Sequence, residues 1–191
     1  GDCFALYAPA GAEPVCINGS GRTPAAARLE TLLQAGHAGV PDTSAHAVTI
    51  PGAVDAWCRL STAHGRLELE TVLAPAIAAA ENGFTVTPRV ALDWQVYSHR
   101  LAGHPPAVAQ FLPQGKPLDI GDRLADPALA ATLRRIGREG RDAFYSGAAA
   151  PDMVATLRAV GGVHDLADLS GHVSLESAPI GARYRDYELL E

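Results

Sequence analysis

Cys3-Phe4-Ala5-Leu6-Tyr7, then Ala8-Pro9-Ala10-Gly11-Ala12-Glu13-Pro14, then Val15-Cys16-Ile17: two short apolar runs around a Gly/Pro-rich turn open this chain of 191 residues. The pattern predicts a β-hairpin. A lone hairpin is marginal in water and needs a helix or further strands to cover it. A strand only two residues from the first residue also raises the expectation of a segment cut from a longer polypeptide.

Working outward, residues 19–52 are rich in Gly, Pro, Ser and Thr and predict loops, with a short helix near Ala25–Gln34. Helical periodicity begins at residue 53. Val54, Trp57, Cys58 and Leu60 share one side of a helix closed by Gly65. Leu69, Val72, Leu73, Ala76, Ile77 and Ala80 form a second stripe, in which Pro75 predicts a kink or a fresh start. Thr87-Pro88 and Asp126-Pro127 each place a capping residue before a proline suited to the first helical position. They precede the stripes Val90, Trp94, Tyr97, Leu101 and Leu129, Leu133, Ile136. Pro151 opens a further helix through Val160, stopped by Gly161-Gly162, while Gln114–Arg123 reads as an exposed loop. Pro179-Ile180 and Tyr184–Leu190 return to extended structure. The expected organisation is a strand hairpin over 1–18, a loop region over 19–52, a helical region over 53–172 and terminal strands over 173–191. That is an α+β fold with strands at both ends, without the regular alternation of a doubly wound sheet.

Composition narrows the function classes. Of the residues, 48% are hydrophobic, 19% are charged and 6% are aromatic, with a formal net charge of −6. Such a chain folds rather than staying disordered. The acidic balance argues against nucleic acid, and no stretch resembles a membrane span. The densest basic run, Arg134, Arg135 and Arg138, alternates with Leu133 and Ile136 and reads as the wet face of a helix. Cys3, Cys16 and Cys58 form an odd set without C-x-x-C spacing. Buried free thiols are expected, although Cys3 and Cys16 are placed to face each other across the hairpin. Free thiols favour the cytoplasm, and the compartment stays open between cytoplasm and periplasm.

The search for chemistry finds little. No Ser lies in G-x-S-x-G, and Asn18-Gly19-Ser20-Gly21-Arg22 lacks the third glycine of a dinucleotide loop. His99 and His104 do not have the spacing of a metal-binding pair, so neither metal nor cofactor is expected. The carboxylate pairs Glu68/Glu70 and Asp165/Asp168 sit beside helix starts, where they cap orphan N–H groups. One polar loop stands out. Asn18, Ser20 and Arg22 are the candidate substrate-binding residues, because the planar fork of Arg22 suits a substrate carboxylate. On these residues alone, a surface arginine paired with a neighbouring acid explains Arg22 slightly better.

Several stretches, in order, resemble the gamma-glutamyltranspeptidase family. They are Gly1-Asp2-Cys3-Phe4, Asn18–Ala25, Ala47–Val54, His64-Gly65-Arg66-Leu67, Leu73–Ile77 and Glu81–Phe84. Asp142–Gly147, Gly161-Gly162 with Asp168-Leu169, and Pro179-Ile180 with Tyr184–Glu188 continue the series to the end of the chain. The resemblance implies the middle of the large subunit of an N-terminal-nucleophile hydrolase, an αββα sandwich whose precursor cuts itself in two. It also implies a Thr nucleophile on a small-subunit partner, an acyl-enzyme formed from a gamma-glutamyl amide such as glutathione, and no catalytic residue in this chain. Thr23, Thr43 and Thr49 lie outside the family's cleavage context. The family's usual Arg-Glu pair, which clamps the glutamyl carboxylate, is here Ser20-Gly21, with Arg22 displaced along the loop. Either Arg22 substitutes from a shifted position, or the enzyme takes another acyl group, as an acylase would. A helical interaction module without catalysis is the reading of a different class.

Overall fold

Strands β1 (Phe4–Tyr7) and β2 (Val15–Asn18) pair antiparallel with Leu6 opposite Cys16 and Phe4 opposite Asn18. The hairpin expected from the opening sequence is therefore present in this computed structural model, which describes residues 1–191. Cys3 lies beyond the paired registers and bonds Gly19, so it does not face Cys16, and all three cysteines are free.

Helices α1 (Leu29–Gln34), α2 (Ala53–His64), α3 (Leu69–Asn82), α4 (Pro88–Tyr97), α5 (Pro105–Phe111) and α6 (Pro127–Glu139) follow. The short strands β3 (Phe84–Thr85) and β4 (Arg123–Leu124) pair with each other between them. Then come α7 (Asp142–Tyr145), α8 (Ala149–Ala159) and α9 (Leu166–Ser170), and strands β5 (Leu175–Ser177), β6 (Gly181–Tyr184) and β7 (Tyr187–Leu190). The architecture is α+β, as the sequence implies. Several local expectations change. Pro75 sits inside an unbroken α3. Thr87 occupies the first cap position of α4 without a side-chain bond, whereas Asp126 Oδ1 accepts from the Leu129 N–H at 2.9 Å. The run Tyr184–Leu190 is two strands, because Arg185 turns the chain with φ of 56°. Leu118, inside the expected exposed loop, is buried. Helices α5, α7 and α9 were too short for periodicity to reveal.

The chain divides into two compact units, Glu70–Arg138 and the remainder. In the first, α3 and α6 meet through Ile77, Ala80, Ala130 and Leu133, with Leu73 beside them. Small residues bring the backbones close, since a Cβ on Gly137 would stand 2.9 Å from the Glu70 Cα. Val86, Ala91 and Leu118 form a second apolar cluster. Arg134 pairs with Glu81 and Arg138 with Glu70, so the arginine run is the solvated face the sequence suggests.

In the other unit, β2 is central, flanked by β1 and β5. One face of this sheet is covered by α2. Tyr7 stacks on His64 with ring centroids 4.0 Å apart, and Arg59 donates to the Ser174 carbonyl at 3.0 Å. The opposite face carries Phe4, Leu6, Cys16, Asn18 and Leu175, as alternation along paired strands requires. It is open, with Phe4 and Leu175 largely exposed. A trough of about 610 Å³ runs over it between Asn18, Ile180 and Leu190.

Candidate functional site

The chain leaves β2 at Asn18 and turns at once. Asn18 Oδ1 accepts from the Ser20 N–H at 2.9 Å and from the Ser20 hydroxyl at 2.6 Å. An asparagine that bonds its own backbone two residues on forms a local turn independent of the sheet. The loop is then tied to its surroundings one bond at a time. Gly19 N–H donates to the Cys3 carbonyl at 2.7 Å, Gly21 N–H to Asp2 Oδ1 at 3.4 Å and Ile50 N–H to the Arg22 carbonyl at 3.0 Å. Ala25 N–H donates to Asp168 Oδ1 at 2.8 Å. Asp168 also closes a capping box with Asp165 at the start of α9, so the helix-start reading of that carboxylate pair holds.

Two glycine positions are required by close backbone approach. A Cβ on Gly21 would fall 1.6 Å from the Ile50 carbonyl oxygen. A Cβ on Gly52 would fall 2.0 Å from the Gly19 carbonyl oxygen and 2.8 Å from His172 Nε2. The loop is thus pressed against Ile50 and Gly52, and no larger residue fits at either contact without moving backbone. The Arg22 side chain is exposed and makes no ion pair. The neighbouring-acid partner that the sequence allowed for it is not present.

Behind the loop lies a buried polar network that the sequence reading missed. Helix α2 begins at Gly52, which has no side chain to cap it. The Gly1 carbonyl accepts from both the Gly52 and Ala53 N–H groups at 2.9 Å. The Tyr145 hydroxyl completes the cap, donating to the Pro51 carbonyl at 2.6 Å and accepting from the Asp55 N–H at 3.2 Å. Burial pushes the Tyr145 phenol up to about 12, which keeps this donor protonated. The Asp55 carboxylate, 2% exposed, accepts from Arg141 Nε at 2.8 Å and from the Ser174 N–H at 2.7 Å. Burial alone raises the carboxyl of Asp55, but the Ser174 N–H and the Arg141 guanidinium outweigh it and hold it below its ordinary 3.8. Arg141 also donates to the His172 carbonyl at 2.7 Å and lies over the Tyr145 ring. One salt-bridged carboxylate therefore joins α2, the turn before α7 and the segment entering β5. A buried pair is tolerated when each atom is bonded in this way.

His172 stacks on Tyr145 with centroids 5.6 Å apart, and its Nε2 is buried without a hydrogen-bond partner. Burial first, then the charges of Arg141 and Arg22, lower its basicity against the opposing pull of Asp55. Cys58, near the network, has its thiol pushed up by burial and by Asp55, the reverse of an activated nucleophile. His104 Nδ1 accepts from the Ala107 N–H, a cap on α5, and no group of three or more metal-ligating side chains converges anywhere. An exposed guanidinium on a tethered loop has the chemistry to pair with an anion. Asp55 had one visible signal, an acid set among the apolar residues Ala53, Val54, Ala56 and Trp57 in the first turns of α2. Its partner Arg141 lies 86 residues away, a separation no local pattern encodes.

A family model described as gamma-glutamyltranspeptidase matches residues 1–191. The acylase ACY 1 proenzyme of Pseudomonas sp. (strain SE83) is 40% identical over 146 residues, covering 76% of this chain and 26% of its own length. A glutathione hydrolase of Aspergillus flavus is 38% identical over 145 residues, covering 73% of this chain and 24% of its own length. The crystal structure of a cephalosporin acylase from Bacillus halodurans superposes with a TM-score of 0.93 at 32% identity, over 99% of this chain and 36% of that one. The chain therefore spans about a quarter of the length of these relatives and about a third of that structure.

Proposed function

Because the chain belongs to the gamma-glutamyltranspeptidase family, and so to the N-terminal-nucleophile hydrolases with their αββα sandwich, we propose that it forms part of the acyl-binding wall of an amide-cleaving enzyme. In this reading the attacking Thr lies outside residues 1–191. Its hydroxyl adds to the amide carbonyl, the C–N bond breaks, and the amine leaves with a proton. The resulting ester then passes its acyl group to water or to an acceptor amine. The partner would be the small subunit of the same precursor, which would also close the open sheet face at Phe4, Leu6 and Leu175.

The observation that carries the proposal is the loop Asn18–Thr23. It is held by bonds to Cys3, Asp2 and Ile50, and just beyond it Ala25 is tied to Asp168, while its one cation, Arg22, stays unpaired and exposed. A preorganised loop with a free guanidinium suits an acyl group that ends in a carboxylate, of which gamma-glutamyl is the first candidate. The second reading, a different acyl group as in an acylase, is favoured by Gly21. The Ile50 carbonyl leaves no room there for the glutamate of the family's usual Arg-Glu pair.

The test uses the full-length protein, a chromogenic gamma-glutamyl anilide and a matched anilide whose acyl group lacks the carboxylate. Arg22→Ala is expected to raise KM for the first by roughly 10- to 100-fold, the worth of a charge-assisted bond, and to leave the second within about twofold. Equal effects on both substrates would remove the carboxylate role. Efficient turnover of the second by wild type, with little of the first, would select the acylase reading.

A further inference from the structure

His172 is 3% exposed and belongs to no part of the reaction described above, yet it stands where the loop is held. On one side its ring stacks on Tyr145, whose hydroxyl fixes Pro51 and the start of α2. On the other, Nε2 abuts Gly52 so closely that a Cβ there would meet it at 2.8 Å. Gly52 in turn presses on the Gly19 carbonyl, inside the turn that presents Ser20 and Arg22. The imidazole is thus a wedge in the stack Tyr145, His172, Gly52, Gly19. Its carbonyl is anchored by Arg141, so the residue cannot slide along the chain.

We propose that His172 is a positioning residue for the substrate-binding loop: its neutral ring, wedged between Tyr145 and Gly52, sets the place of Gly19 and hence of Ser20 and Arg22. The proposal rests on the reading of that loop as the acyl-binding element. It also carries a dependence on acidity. The charged groups facing the imidazole are Asp55 from α2, Arg141 from the turn before α7 and Arg22 from the loop itself. Asp55 and the Gly52 backbone favour a charge on the ring, while Arg141 and Arg22 oppose it. Burial, the larger effect, also disfavours the cation, so the folded protein keeps His172 neutral below its ordinary 6.5. The ring is neutral, and the wedge intact, above 6.5. As pH falls below that value the open, solvated ring takes the proton before the buried one does, and the stack loosens.

Two variants of the full-length protein separate shape from charge. His172→Phe keeps a ring to stack on Tyr145 but cannot take a proton. His172→Ala removes the wedge. Hydrogen exchange of the backbone amides of residues 19–22, corrected for intrinsic rates, reads positioning without substrate. Wild type is expected to lose protection as pH falls below 6.5, His172→Phe to be flat with pH, and His172→Ala to be unprotected throughout. With the carboxylate-bearing anilide, His172→Ala should raise KM on the order of tenfold with kcat little changed, and His172→Phe should keep KM within about threefold. Protection that ignores pH in wild type, or an unaltered KM in His172→Ala, would overturn the proposal. If Arg22→Ala has no effect on KM while the exchange pattern holds, the binding reading fails and the positioning role stands.

Discussion

The two compact units bury different things. In Glu70–Arg138 the interior is aliphatic, with Ile77, Ala80, Ala130 and Leu133 between α3 and α6, and its ion pairs lie on the surface. In the other unit the largest fully buried side chain is Tyr145, and Asp55, His164, His172 and Ser174 are buried with it. The difference follows from what each must hold. Two helices that satisfy their own backbone groups need only complementary apolar faces. Loops at 1–3, 18–25, 48–52 and 170–174 bring backbone groups that no neighbouring strand satisfies, so side chains must do it. Polar residues are buried where irregular chain converges, and that is where the candidate site lies.

The comparison can be broken most forcefully at its charged centre. Asp55→Ala strips the buried partner of Arg141 and the acceptor of the Ser174 N–H, and should cost about 3 kcal/mol or more. Hydrogen exchange of residues 53–64 in the full-length protein would read this as lost protection. The same carboxylate gives the unit an acid limit. Its folded pKa is depressed, so its contribution is present above the ordinary 3.8 and is lost as pH falls through the lower folded value. Asp55→Asn should flatten that limb, and an unchanged acid profile would show that the pair adds nothing.

A smaller effect is expected at the apolar counterpart. Leu133→Ala deletes a buried side chain between α3 and α6 and should cost about 2–3 kcal/mol without altering KM for any acyl donor. A change in KM from that substitution would mean the units are not separable in function. The smallest effect belongs to the surface pairs. Arg138→Ala, which removes the bond to a half-exposed Glu70, should change thermal stability by no more than about 0.5 kcal/mol, and less still in high salt. A large loss there would erase the distinction between a solvated face and a buried network.

Much of this organisation is legible in the chain itself. The hairpin, the close of α2 at Gly65, the start of α6 at Pro127, the stop of α8 before Gly161, the capping pair Asp165/Asp168 and the wet arginine face all follow from rules acting within a few residues, although α8 begins at Ala149 and not at Pro151. So does the candidate loop, because Asn18-Gly19-Ser20-Gly21-Arg22 combines turn formers with a single cation. The failures are equally local in origin. Tyr184–Leu190 reads as one strand because neither Gly nor Pro interrupts it, and only Arg185 at positive φ reveals the turn. Trp57, placed on the apolar stripe of α2, is 38% exposed, while Asp55 beside it is buried.

What the sequence determined alone is therefore the opening hairpin, the longer helices, the family resemblance and the residues of the loop. Their chemistry depends on period, capping and turn propensity, all of them short-range. Tertiary structure alone decided which groups hold that loop in place. Asp55 meets Arg141, Tyr145 caps α2 from a distant helix, and His172 wedges against Gly52. These pairings join residues brought together by the burial of groups that cannot be left without partners, and no spacing along the chain encodes them.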